Sequence, residues 1–142
     1  HVDVNVAEEF FTYSKKNVFR GLHFQVPPME LSKIIYCVSG SVKDYVVDLR
    51  TGSPTYGKWC SFNLDEEKPL ALFIPPGLAH GFYVNSNHSI MQYRVSKIYD
   101  PEHDKGISYT TFDFAKDIVD PILSEKDSRL ITIDQFESPF KF

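Results

Sequence analysis

Val18-Phe19-Arg20-Gly21-Leu22-His23-Phe24-Gln25 reads as a β-strand, because β-branched and aromatic residues dominate it. Two polar residues interrupt it. Arg20 and His23 lie three apart, so the period-2 alternation of a regular strand sends them to opposite faces. Gly21 between them permits a bulge that turns both toward one cavity. A cation and an imidazole aimed into one apolar cavity suit an anionic substrate and a proton transfer. The same eight residues also allow an edge-strand arginine in solvent beside a satisfied core histidine.

Strand and turn signals continue on both sides. Upstream, Val2 to Val6 alternates weakly and is expected as an edge strand; Glu8 to Tyr13 carries an acidic pair and then aromatics, and Ser14 to Asn17 is a polar turn. Downstream, Pro27-Pro28 stops the strand. Further strands are expected over Glu30 to Ser39, turned by Gly40, then Val42 to Leu49, Lys58 to Leu64 and Leu70 to Ile74. Two more, Gly81 to Asn85 and Ser89 to Val95, flank a turn at Asn85 to Asn87. Periodicity fades after Asp104. Ile118 to Ser124 suits a short helix or coil, and the apolar, aromatic tail from Ile131 to Phe142 is expected to pack on something. Seven or eight short strands between Gly/Pro turns imply an all-β sandwich or barrel. No repeat or linker divides residues 1–142, so a single domain is expected.

Composition narrows the function classes. Twelve Phe and eight Tyr favour strands over helices. A net charge of −4 argues against a nucleic-acid surface. No apolar run approaches the roughly 20 residues of a membrane span, and no signal-peptide pattern opens the chain. Cys37 and Cys60 both sit in apolar strand contexts and are expected as reduced, buried thiols. A cytoplasmic protein with no membrane partner is the expectation. The chain opens at His1, which reads as a cut or engineered start.

Pro75-Pro76-Gly77-Leu78-Ala79-His80 resembles the second motif of the cupins, small double-stranded β-helix barrels of the jelly-roll type. The first cupin motif has a Gly, a His-x-His pair and a Glu, which hold a metal together with the motif-two His. The corresponding stretch here is Gly21-Leu22-His23-Phe24-Gln25. Phe24 and Gln25 do not replace the second imidazole, and two histidines alone make a poor transition-metal site. A metal-free cupin, with no cofactor, is therefore expected.

Six blocks then occur in one order: R-G-L-H-F-Q, G-S-P-T-Y-G-K-W, I-P-P-G-L-A-H-G-F, Q-Y-R, Y-D-P-E-H-D-K-G-I and L-S-E-K-D. Together they resemble the dTDP-4-dehydrorhamnose 3,5-epimerase family across most of the chain. The resemblance implies a dimeric, metal-free cupin with a short, partly helical C-terminal segment. It implies an isomerase of nucleotide-linked 4-keto-6-deoxy sugars, in the making of dTDP-rhamnose and polysaccharides. Such an epimerase inverts C3, C5 or both through an enolate. That reaction needs a base on one face of the ring, an acid on the other and a cation at the carbonyl oxygen. By the resemblance, His23 is the base, Asp127 orients it, Tyr93 is the acid and Lys33 is the cation. Arg20, His80 and Tyr99 would hold the diphosphate, with Gln25 and Lys126 as further substrate contacts. Asp127, Tyr93, Lys33 and His80 each have an ordinary structural alternative: a solvated carboxylate, a core phenol, a snorkelling amine and a turn residue.

The chain departs from the family in two places. It contains no upstream G-D-x-R-G segment, and Glu8-Glu9-Phe10-Phe11-Thr12-Tyr13-Ser14 stands where the family usually has a Q-D-N-H-S-like stretch. The upstream segment helps hold the nucleotide in the family, so dTDP, CDP and GDP all stay open. A non-catalytic sugar-nucleotide-binding cupin, a one-centre epimerase and a metal-dependent cupin are the other readings.

Overall fold

The computed structural model describes residues 5–142. Seven strands are present: β1 (Glu8–Lys15), β2 (Phe19–Gln25), β3 (Lys33–Asp48), β4 (Trp59–Asp65), β5 (Ala71–Ile74), β6 (Leu78–Val95) and β7 (Asp104–Gly106). They pair antiparallel throughout. The fold is a cupin jelly roll: an all-β barrel, as the strand count and turns implied, and a cupin, as the motif resemblance implied.

The frame is a long ribbon made by β3 and β6. Lys33 to Gly40 pairs with Val95 to Ser89, and Val42 to Asp48 pairs with Val84 to Leu78. Between those halves the register shifts. Gly40, at φ +80, bends the ribbon where a Cβ would strike the backbone of His88. Two expected pairs of strands are thus one strand each: Gly40 makes a bulge and not a turn, and Asn85 to His88 bulges out of β6 without ending it. One half of the ribbon carries β1 and β5; the other carries β2, β7 and β4. Inward residues of both halves meet in one core: Ile35, Cys37, Ile74, Met91 and Tyr93 from the first, Val42, Val46, Leu64, Phe82 and Val84 from the second. The two halves therefore face each other across the barrel.

A second apolar layer lies outside the barrel. Tyr45, Val47, Leu49, Ala79, Phe19, Leu22 and Phe24 point away from its interior and are covered by Phe112, Phe114, Ile118 and Phe140. Those covering residues belong to the C-terminal segment, whose 3₁₀ turns span Tyr109–Thr111, Asp113–Asp117, Asp127–Arg129 and Ile133–Gln135. Ile118 to Ser124 is irregular backbone. The aromatic tail packs on its own chain, with Phe140 6% exposed and Phe136 edge-on to Phe24 at 5.1 Å.

Three expectations change at the ends and edges. The strand expected over Val2 to Val6 falls mostly outside the described residues, and regular pairing begins at Glu8. Ser14 and Lys15 belong to β1, so the turn shrinks to Lys16-Asn17, with Asn17 at φ +65. Cys37 is buried, but Cys60 is exposed: it shares the face of Val46 and Leu64, yet β4 is the edge strand of the sheet and leaves that position open. Among the described residues no helix is long and apolar enough to cross a membrane.

Candidate active site

β2 alternates cleanly up to Arg20 and again from Leu22, but not across Gly21. Phe19, Leu22 and Phe24 all join the outer apolar layer. Arg20, His23 and Gln25 line the barrel cavity. The register against β6 shifts between Arg20 and His23, so one extra residue resets the phase of the strand. Gly21 is needed there: its φ is +119, and a Cβ would lie 2.6 Å from the Gly81 Cα. The bulge thus turns two polar residues, three apart in sequence, into one cavity.

That cavity has a volume of about 280 Å³. His23, Lys33, Tyr93, Arg20, Gln25, His80, Tyr99 and Lys126 all line it, together with Phe10, Phe82, Leu31 and Val95. Asp127 stands behind its wall and reaches it through His23. The His23 Nε2 is 2.5 Å from the Asp127 Oδ1, and the Asp127 side chain is 3% exposed. Burial by itself would raise the Asp127 pKa. The hydrogen bond and charge of His23, the Ser124 hydroxyl and the Gly21 N–H together hold it below the usual carboxylate range. An ionised carboxylate on one ring nitrogen leaves the other nitrogen basic and stabilises the imidazolium.

Tyr93 comes from the facing half of the ribbon and is 7% exposed. Its ring stacks on Phe10 at 4.8 Å, with the planes 7° apart. Burial pushes its phenol well above the ordinary value. Lys33 turns inward and does not snorkel: its Nζ donates to the His23 carbonyl at 3.4 Å. Burial lowers the Lys33 pKa to about 8, against the pull of Asp104 and Asp44.

Arg20 is pinned by β1, its Nε donating to Ser14 Oγ at 2.8 Å and its Nη2 to the Tyr13 carbonyl at 3.2 Å. The His80 Nε2 is 2.6 Å from the Asp44 Oδ2, and Asp44 is fully buried. Tyr99 is 59% exposed and marks the mouth. Lys126 is ion-paired with Asp104 there. The Gln25 amide is occupied by backbone: its Nε2 donates to Met29 O and Ile98 O, and its Oε1 accepts from Asp100 N. It shapes the wall and tethers the mouth loop, with its donors already engaged.

The donor set does not fit a cupin metal. Phe24 points to the outer layer, Gln25 is tied to backbone, and each histidine already holds a buried carboxylate. Among the described residues no three His, Cys, Asp or Glu side chains converge.

A sequence profile of the dTDP-4-dehydrorhamnose 3,5-epimerases matches residues 1–135. The chain belongs to the dTDP-4-dehydrorhamnose 3,5-epimerase family. A relative in that family, the dTDP-4-dehydrorhamnose 3,5-epimerase of Sinorhizobium fredii, is 39% identical over 146 residues, covering 99% of this chain and 74% of the relative. The dTDP-4-dehydrorhamnose 3,5-epimerase of Sulfolobus tokodaii has a similar crystal structure. Its TM-score is 0.88 at 39% identity, over 94% of this chain and 75% of that one. An epimerase of Legionella pneumophila, solved in complex with dTDP-4-keto-L-rhamnose, has a TM-score of 0.88 at 30% identity, over 99% of this chain and 77% of that one.

Within this member of the family, sequence reading missed one buried partner and one whole wall. Asp44 had a signal: in Val42-Lys43-Asp44-Tyr45-Val46 it takes an inward place between two core valines. A carboxylate in an apolar row needs a partner, and His80 is that partner. The inward row of β1, Glu8, Phe10, Thr12 and Ser14, lies in a stretch that reads in sequence only as an acidic pair, aromatics and the start of a polar turn.

Proposed function

We propose that this chain is an epimerase that inverts C3 and/or C5 of a nucleotide-linked 4-keto-6-deoxyhexose, with no metal or redox cofactor. The observation that carries the reading is the His23–Asp127 pair, at 2.5 Å, on the same cavity as Tyr93 from the facing half of the ribbon. A base and an acid reaching one cavity from opposite walls is the arrangement inversion requires. A proton beside a ketone is acidic because the enolate spreads its charge onto the carbonyl oxygen. His23 takes that proton, Asp127 steadies the imidazolium, and the Lys33 ammonium meets the enolate oxygen. Tyr93 then protonates the carbon from the other face. Arg20, His80 and Tyr99 hold the diphosphate, and Lys126 closes the mouth beside it.

The ligand of the Legionella relative supports a dTDP-sugar as the substrate class. A cytoplasmic homodimer completes the reading. The dimer is supported by the outer face of β5, β3, β6 and β1, where Phe11, Tyr13, Val38 and Phe73 stand 43–60% exposed.

Proton–deuterium exchange followed by NMR in D₂O, on dTDP-, CDP- and GDP-linked 4-keto-6-deoxyhexoses, tests the reading. The expected result is deuterium at C3 or C5 together with an inverted product, at full rate in excess chelator. Binding without exchange on every sugar would identify a non-catalytic cupin. Activity lost to chelator and restored by one divalent ion would identify a metal enzyme.

A further inference from the structure

The four inward residues of β1 each meet a residue of the site. Ser14 holds Arg20 at 2.8 Å. A Glu8 carboxylate oxygen accepts from the Tyr99 N–H at 3.1 Å. Phe10 lies flat on the Tyr93 ring. Thr12 is next in that row and also lines the cavity. Its hydroxyl is buried and, among the described residues, has no hydrogen bond of normal geometry. In the β1–β6 register Phe10 stands opposite Tyr93, so Thr12, the next inward residue, is its diagonal neighbour, and both side chains line the one cavity. A buried hydroxyl without a partner is costly, and none of the steps above uses it.

We infer that Thr12 is a positioning residue for Tyr93: it aims the phenol at the sugar and donates a hydrogen bond to the phenolate left after proton delivery. The inference rests on the reading of Tyr93 as the acid. In that step the Tyr93 O–H bond breaks and a C–H bond forms at the ring carbon. The electron pair of the new bond comes from the enolate C=C, and the carbonyl is restored. The oxygen of Tyr93 keeps the O–H pair as a phenolate, in a site where burial resists that charge. The Thr12 O–H turns toward it and keeps its own proton. Solvent then reprotonates Tyr93 and takes the proton held by His23, which returns both groups to their starting states. Phe10, stacked flat on the ring, fixes its plane.

The test compares Thr12→Val, Thr12→Ser and Tyr93→Phe with the wild type in D₂O, on a dTDP-linked 4-keto-6-deoxyhexose. Valine keeps the β-branched shape and the strand preference and removes only the hydroxyl. The expected result for Thr12→Val is near-normal deuterium exchange with inversion slowed roughly 10- to 100-fold, the range for a lost hydrogen bond to a charged group. Thr12→Ser should restore inversion. Inversion at the wild-type rate in Thr12→Val overturns the inference, and so does an equal fall of exchange and inversion. If the wild type neither exchanges nor inverts, the epimerase reading fails. Thr12 is then judged by the ¹³Cζ resonance of Tyr93, assigned by its loss in Tyr93→Phe. Displacement of that resonance in Thr12→Val, with Thr12→Ser unmoved, upholds the contact; no displacement overturns it.

Discussion

At the scale of single residues, Gly21 has the largest geometric consequence. An L side chain there meets both a left-handed φ and the backbone of Gly81. Gly21→Ala should cost roughly 2–5 kcal/mol, strain and overpacking together, and should misdirect His23. Gly52→Ala is the control: its φ is +85 but nothing lies within 4 Å of a Cβ, so strain alone remains, about 1 kcal/mol. Urea midpoints of the two variants check the difference. Lys33 makes a second prediction at this scale. Its ammonium is lost as pH rises through about 8, so kcat/KM should fall on that limb. Its pKa is depressed in the folded state, so the protonated amine weighs against folding below pH 8. Lys33→Met should therefore abolish inversion while raising the urea midpoint at pH 7. A variant that loses both activity and stability would show Lys33 to be structural. His23→Ala should lose exchange and product together, by roughly 10²–10⁴-fold. Asp127→Asn should cost less, because the imidazole remains.

At the scale of elements, the end of β3 is held by Asp48. Its carboxylate accepts from Arg50 N and Nε at 2.9 Å, Arg50 Nη2 at 2.8 Å, Ser53 Oγ at 2.6 Å and Thr55 Oγ1 at 2.7 Å. Burial opposes the charge, but these donors keep the carboxyl well below the ordinary 3.8. Its stabilisation is therefore complete above pH 3.8 and disappears only as pH falls through the lower folded value. Asp48→Ala leaves Arg50 and two hydroxyls without their acceptor. It should cost about 3–5 kcal/mol, read as a lower urea midpoint at pH 7. β1 is the opposite case. It pairs with β6 alone among the described strands, yet its inward row supports Arg20, Tyr93 and Tyr99. A strand that is peripheral in the sheet is central to the site.

For the whole molecule, two apolar faces have different fates. The outer face of the β2–β6 half is covered by the protein's own C-terminal segment. The outer face of the β1–β5 half is bare, with Phe11 57% and Tyr13 60% exposed. Aromatic side chains of that size, aligned on one sheet face, suit a second copy of the chain. Light scattering should give a dimer at micromolar concentration, and Phe11→Glu with Phe73→Glu should give a folded monomer. A wild-type monomer would remove this face from the dimer proposal.

The local rules carried a defined share of this. Period-2 alternation made the strands legible, Pro27-Pro28 and Pro75-Pro76-Gly77 ended or turned them, and the absence of a His-x-His pair at Phe24 and Gln25 was visible in the residues themselves. These features depend on a few neighbouring residues, so a sequence determines them unaided. Gly40 was ambiguous for the same reason: a left-handed glycine serves a tight turn and a bulge equally well, and only the pairing of β3 with β6 along its whole length separates the two. Cys60 likewise looked buried, and only the place of β4 at the edge of the sheet leaves it exposed. The site lies further still from local rules. Asp127 meets His23 across 104 residues of chain, and Tyr93 reaches the same cavity only because the ribbon folds its two halves face to face. Contacts of that kind are set by how the sheets close on a shared core, which no window of neighbouring residues contains.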